Sequence, residues 1–280
     1  MSEAVARPYL VHLLVAEGEP TTPLDGATLL AELERRCGAV LPPPVAPSSP
    51  ESGATALHFA FADHVIELAD GTMPVQGLVT PLEGPVPAAI LTPALEQTRG
   101  WDARGAIGEL ASPALLVSDL FAGGIARHVR LKLFLGLVTS VLAQRRCRAI
   151  VWGPSQKVVD PAMLLQSLDE DPLFAAINVR LFRVGDGAAG EVVMDTLGLE
   201  PFGLPDVQMH FVGLDPNRVA GFLHGMARYL FQRGAVIEDG HTVPGPEGQA
   251  YRCRIEEALV APARVVIDVE PDQPHSPRQA

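Results

Sequence analysis

The chain alternates short apolar runs with stripes of apolar residues at helical spacing. Tyr9 to Val15 is an apolar run suited to a buried strand, and Leu24 to Arg36 sets Leu29, Leu30 and Leu33 at helical spacing. Arg35 and Arg36 fall in the last turn of that helix, where cations complement the helix dipole, and Gly38 can end it. Ala56 to Phe61 and His64 to Leu68 read as two strands, and Asp70-Gly71 supplies the turn before a third, Met73 to Val79. Trp101 to Leu110 predicts a short helix and Ala114 to Leu120 another strand. The order strand, helix, strands, helix, strand points to a split β-α-β unit, with helices over one face of a mainly antiparallel sheet.

The second half opens with a helix from about Ile125 to Arg145, apolar nearly all round in its middle and therefore buried. Its most apolar part, Val129 to Leu142, is shorter than the about 20 residues a membrane span needs and contains Lys132. Arg145, Arg146 and Arg148 crowd its end, which the helix dipole explains better than an anion site does. Ala149 to Trp152 follows as a buried strand, then a short helix from Pro161 to Leu168 that Asp160 can cap. Asp169, Glu170 and Asp171 lack the alternate ligands and central glycine of a calcium loop and read as solvated charge.

Ala176 to Val184, Glu191 to Leu197 and Val207 to Val212 read as strands. The next helix has the clearest boundaries in the chain. Asp215 stands at its N-cap and Pro216 in its first turn, Val219, Phe222, Leu223, Met226, Ala227 and Leu230 share one face, and Gly234 closes it. Ala235 to Ile237 leads into a turn at Asp239-Gly240 and then Thr242-Val243, while Tyr251 to Ile255 and Arg264 to Val269 close the fold as strands. The reading is an α+β protein of two related sheet-and-helix halves, mostly antiparallel sheets with helices packed on one face. The halves are placed at residues 1–122 and 123–270, tied by the helix from Ile125, with a disordered polar tail at 271–280.

Composition narrows the function without naming it. With 280 residues, 48% hydrophobic and 19% charged, the chain is an ordinary folded protein. Pro42, Pro43, Pro44, Pro47 and Pro50 mark a surface loop. A formal charge of −12 repels phosphate backbones and anionic lipid, so neither nucleic acid nor membrane is expected as a partner, whereas a basic protein is. Residues 1–7 lack a charged start followed by an apolar run, and Cys37, Cys147 and Cys253 are too few and too scattered for a disulfide framework. A cytoplasmic protein with reduced thiols is expected.

Few residues suggest chemistry. Gly185, Gly187 and Gly190 spell GxGxxG, but a β-rich run follows instead of a helix, so a hairpin loop is the better reading. GxxxxGK[ST], HExxH and GxSxG do not occur, and no cofactor is expected. His58 and His64 have no companion nucleophile. His210, His224, Asp239 and His241 are the residues that could hold a metal for a hydrolase, provided they converge. The segment from Asp195 to Gln208 joins two strands through glycines and prolines, yet Phe202 and Leu204 are apolar where a plain turn is polar, so it plugs the core or forms a binding edge.

Gly198-Leu199 with Phe202-Gly203-Leu204-Pro205-Asp206, then Ala227-Arg228-Tyr229-Leu230, then Asp239-Gly240-His241-Thr242-Val243-Pro244-Gly245, follow one another over about 50 residues. In this order they resemble the bacterial family known as domain of unknown function 4261, in which a GLPE-like element precedes a helix and a DGxT turn. Met73-Pro74, Trp101 and Leu115 to Ser118 resemble the N-terminal part of longer members, so the likeness extends over residues 9–257. Asp206 replaces the family's frequent Glu, and His241 stands where many members are more acidic. The resemblance implies no reaction and therefore no catalytic residues. The expectation is a non-enzymatic binding protein, a partner or immunity protein in a toxin or secretion system, with Phe202, Leu204, Pro205, Asp206, Asp239 and His241 as binding residues. A metal-dependent hydrolase and a small-molecule sensor are the alternatives.

Overall fold

The computed structural model describes residues 8–19, 23–41, 56–69, 71–107, 113–184, 190–245 and 248–277. The chain divides into two compact units, Met1–Ala175 and Ala176–Ala280. The division expected after residue 122 falls later because the long helix and the strand behind it complete the first unit.

That unit holds a seven-stranded sheet in the order β2 (Val40–Leu41), β3 (Leu57–Leu68), β4 (Gly71–Pro81), β5 (Ala114–Leu120), β1 (Leu10–Val15), β6 (Cys147–Trp152) and β7 (Lys157–Val159). Every neighbouring pair is antiparallel. Among the described residues five helices accompany it: α1 (Gly26–Cys37), α2 (Ala88–Gln97), α3 (Ala103–Ile107), α4 (Arg127–Gln144) and α5 (Pro161–Ser167). The two strands predicted between 56 and 68 are one strand, β3, with an irregularity between Phe61 and Val65.

Successive side chains of β1 go to opposite faces, and both faces are covered. On one, Tyr9, Trp152 and Phe134 of α4 form an edge-to-face trio with ring centroids 4.8 to 5.7 Å apart. On the other, Leu14, Ala149 and Val151 pack with Val86, with Ala94 of α2 and with Ala103 and Ile107 of α3. Helices thus lie on two faces of this sheet, which is why β1 reads as an apolar run, interrupted at His12 alone, and not an alternating one. Helix α2 escapes the sequence reading because Pro93 lies inside it. Helices α1 and α4 approach so closely that a Cβ at Gly136 would stand 2.3 Å from Cys37 Sγ.

The second unit is a six-stranded sheet in the order β11 (Thr242–Pro244), β12 (Ala250–Glu257), β13 (Val265–Glu270), β10 (Asp206–Val212), β9 (Glu191–Leu197) and β8 (Asn178–Arg183). All pairs are antiparallel except β10 with β13. A long helix, α6 (Pro216–Arg233), lies against β8, β9 and β10 through Val219, Leu223, Met226, Ala227 and Leu230. Its N-cap Asp215 accepts from Asn217 N, and Gly234 ends it, as the sequence predicts. The tail is ordered through residue 277: Val212 N donates to the His275 carbonyl at 3.0 Å, and the His275 ring lies 2.9 Å from the Val212 carbonyl. Residues 278–280, the proline loop at 42–50 and the glycine loop at 185–189 lie outside the described residues, although β8 and β9 on either side of the last pair as a hairpin.

Candidate functional site

Polar residues interrupt the apolar strands of the second unit at matching registers. Arg180, Asp195, Gln208, Asp268 and Arg254 stand opposite one another on five adjacent strands and form one row across the sheet. The first four are fully buried. Burial of this kind is tolerated only when every polar atom is bonded, and here the partners are present. Arg180 donates to both Asp195 oxygens, at 2.9 and 2.5 Å. Gln208 donates to Asp268 at 3.0 Å and accepts from Leu259 N at 2.8 Å.

Arg264, just ahead of β13, joins this row to the start of β10. Its Nε donates to Asp206 at 3.1 Å, and its Nη2 donates to Asp195 at 2.6 Å and to the Thr196 carbonyl at 3.0 Å. Its Nη1 reaches the carbonyls of Val260 and Pro262. All three guanidinium nitrogens are therefore committed to the fold. Asp206 also accepts from Thr196 Oγ1 and Leu199 N. Burial pushes its carboxyl up to about 6, against the downward pull of Arg264 and of the Leu199 amide.

Two cavities adjoin this framework. One, of about 510 Å³, is lined by Leu204, Pro205, Asp206, Ile237, Ile255 and Arg264 among others. Its polar wall holds the saturated pair of Asp206 and Arg264 together with the exposed Glu200. The other, of about 570 Å³, is a groove between α6 and β11, lined chiefly by Phe222, Met226, Tyr229, Val236, Ile237 and Val243. Tyr229 and Val236 are 46% and 45% exposed, large apolar groups left open to solvent. Gly225 also lines it, and a Cβ there would meet nothing within 4 Å.

The predicted site residues are distributed over these features and do not form one cluster. Leu204, Pro205 and Asp206 line the smaller cavity, whereas Phe202 packs edge-on against Phe231 of α6, centroids 5.0 Å apart. His241 lines the groove, its Nδ1 accepting from Glu238 N at 3.2 Å. Asp239 caps Ile255 N at 2.9 Å. With Gly240 N bonded to the Cys253 carbonyl and Cys253 N to the His241 carbonyl, the DGxT turn is clasped onto β12.

The set proposed for a metal is not assembled. His210 stands on β10, 3.5 Å from Glu191, His224 lies on α6, and Asp239 and His241 serve the turn. Among the described residues no group of three or more His, Cys, Asp or Glu is placed to hold a metal ion. Sequence reasoning missed Arg180, Asp195, Gln208, Arg264 and Asp268. The available signal was a single polar residue inside an apolar strand, as in Val192-Val193-Met194-Asp195 and Val265-Val266-Ile267-Asp268.

Among the described residues no helix is long and apolar enough to cross a membrane. No curated protein and no solved structure matches the chain. Residues 195–270, which supply every lining residue of both cavities, match the family model described as Domain of unknown function (DUF4261).

Proposed function

We propose that this is a non-enzymatic binding protein that receives a protein partner in the groove between α6 and β11. One observation carries the reading: the groove is open, apolar and flanked by exposed Tyr229 and Val236, while Asp206 and Arg264 in the neighbouring cavity already serve the fold. A catalytic centre needs polar groups aimed at a reacting atom, whereas recognition needs desolvated apolar anchors such as these. The net charge of −12 supports a partner that is basic overall. A bacterial cytoplasmic setting, in a toxin-immunity or secretion system, belongs to the same proposal.

The test compares the intact protein with Gly225→Leu, which fills the groove from a position where a Cβ meets no neighbour within 4 Å. Both are immobilised and exposed to cytoplasmic extract, with metal analysis of the same preparations. A stoichiometric partner retained by the intact protein and lost from Gly225→Leu is expected. Equal retention by both, or one bound metal per chain, overturns the reading. A small-molecule sensor is the second reading, favoured by a cavity volume within the range of ligand sites of about 300 to 1,000 Å³. It predicts a compound that raises the melting temperature of the intact protein and leaves Gly225→Leu unmoved.

A further inference from the structure

Lysine is scarce in this chain. Lys132 and Lys157 are its two lysines, against 19 arginines. Lys132 is exposed on α4, whereas Lys157, the first residue of β7, is half-buried against the turns that follow α5.

Three buried cations of this fold are guanidiniums held by carboxylates. Arg130 donates to Asp119, Arg180 to Asp195, and Arg264 to Asp195 and Asp206. A guanidinium keeps its proton in such a setting, whereas a lysine amine can lose it. Lys157 is held in another way. Its Nζ donates to the Phe174 carbonyl and stands 4.3 Å from the centroid of the Phe174 ring. A carbonyl accepts from a neutral amine as it does from an ammonium, so this contact survives loss of the charge.

Asp171, on the same turns, is the carboxylate that acts on the amine. Asp160, at the end of β7, caps α5 through Ala162 N, and Asp169, Glu170 and Glu96 of α2 are exposed. Burial outweighs Asp171 and brings the Lys157 ammonium down from 10.5 to about 8. At neutral pH that leaves about three-hundredfold more neutral amine than an ordinary lysine presents.

We propose that Lys157 is a site of acyl modification, a nucleophilic amine that takes a small activated acyl group from an acyl phosphate or an acyl thioester. The Nζ lone pair attacks the acyl carbon and a C–N bond forms. The C–O bond to phosphate, or the C–S bond to the thiol, breaks, and the leaving group takes the electron pair. The proton released from nitrogen passes to solvent. The product is a neutral amide, which burial favours over the ammonium it replaces and whose N–H can still donate to the Phe174 carbonyl.

The full chain is incubated separately with acetyl phosphate and with acetyl-coenzyme A, from about pH 6.5 to about 9.5. Peptide mass spectrometry follows each lysine against time, and the same reactions in denaturing urea give the unfolded reference. With at least one donor, Lys157 is expected to acetylate about tenfold faster than Lys132 at neutral pH, because its lower basicity returns part of the gain in neutral amine. Its rate levels off above about pH 8 while that of Lys132 still rises, and urea abolishes the preference. The donor that shows the preference identifies the source of the acyl group. Lys157→Arg removes the fast site and leaves the rate at Lys132 unchanged. Equal or slower acetylation of Lys157 with both donors overturns the proposal. So does a pH profile parallel to that of Lys132, or a preference that persists in urea.

Discussion

Arg264 donates through Nε to Asp206 at 3.1 Å, and this contact ties the segment ahead of β13 to the first residue of β10. The two strands are parallel and distant in sequence, so backbone turns cannot set their relative position. A buried guanidinium that also reaches Asp195, Thr196, Val260 and Pro262 can.

Removing the guanidinium leaves Asp195 and Asp206 buried with their shared cation gone. Arg264→Ala is therefore expected to lower the stability of the second unit by about 3 to 5 kcal/mol, the usual effect of breaking a buried ion pair. Urea denaturation of the full chain, followed by a probe in the second unit, measures it. A loss below about 1 kcal/mol would show that water replaces the arginine.

Asp206 gives this stability a pH dependence of known sign. Its carboxyl is raised by burial from 3.8 to about 6, so between those values the folded state holds a proton that the unfolded state releases. Stability from this group is full below about pH 4 and is lost as pH rises through 6, a change of about 3 kcal/mol. Asp206→Asn lacks the titration, so the intact protein should gain on the variant as pH falls from 6.5 to 4. In the first unit His12 acts the other way: burial lowers its pKa below 6.5, and its contribution is lost as pH falls through that range. Denaturation midpoints at half-unit intervals separate the two, with His12→Gln as the companion variant.

Two glycines in helices should respond oppositely to alanine. Gly225→Ala adds a methyl into open space and improves helix propensity, for a gain of about 0.5 to 1 kcal/mol. Gly136→Ala drives a methyl into Cys37 and should cost about 1 to 3 kcal/mol, recovered in part by Cys37→Ala. Thermal melts of the three variants and the double variant decide it. Full additivity in the cycle would place the strain elsewhere.

The thiols should be unreactive while the chain is folded. Burial raises Cys37 and Cys253 to about 11 and Cys147 to about 12, which leaves little thiolate at neutral pH. A thiol-disulfide reagent should label none of the three quickly in buffer and all three in denaturant. Fast labelling of one in buffer would mark a local opening at that residue.

Elements whose signals are local were legible from residue order. Helix α6 is marked by Asp215, Pro216, its apolar stripe and Gly234, all within one span. Helix α2 was hidden because Pro93 argues against a helix locally, while packing of Ala94 onto the sheet core keeps it. The division between units was misplaced for the same reason: only the pairing of β6 with β1 assigns the long helix to the first unit.

The candidate site divides in the same way. By itself the sequence determined the α+β class, the apolar strands β1, β5 and β6, and the capped helix α6 with its apolar face from Val219 to Leu230, because capping and periodicity act over a few residues. Only the tertiary structure decided that Asp206 is bound to Arg264, that Asp239 and His241 bond within and across the turn at 239–241, and that Tyr229 faces an open groove. Those outcomes depend on which side chains meet across strands tens of residues apart. Burial makes every such meeting a matter of satisfied or unsatisfied polar groups, and no local pattern encodes it.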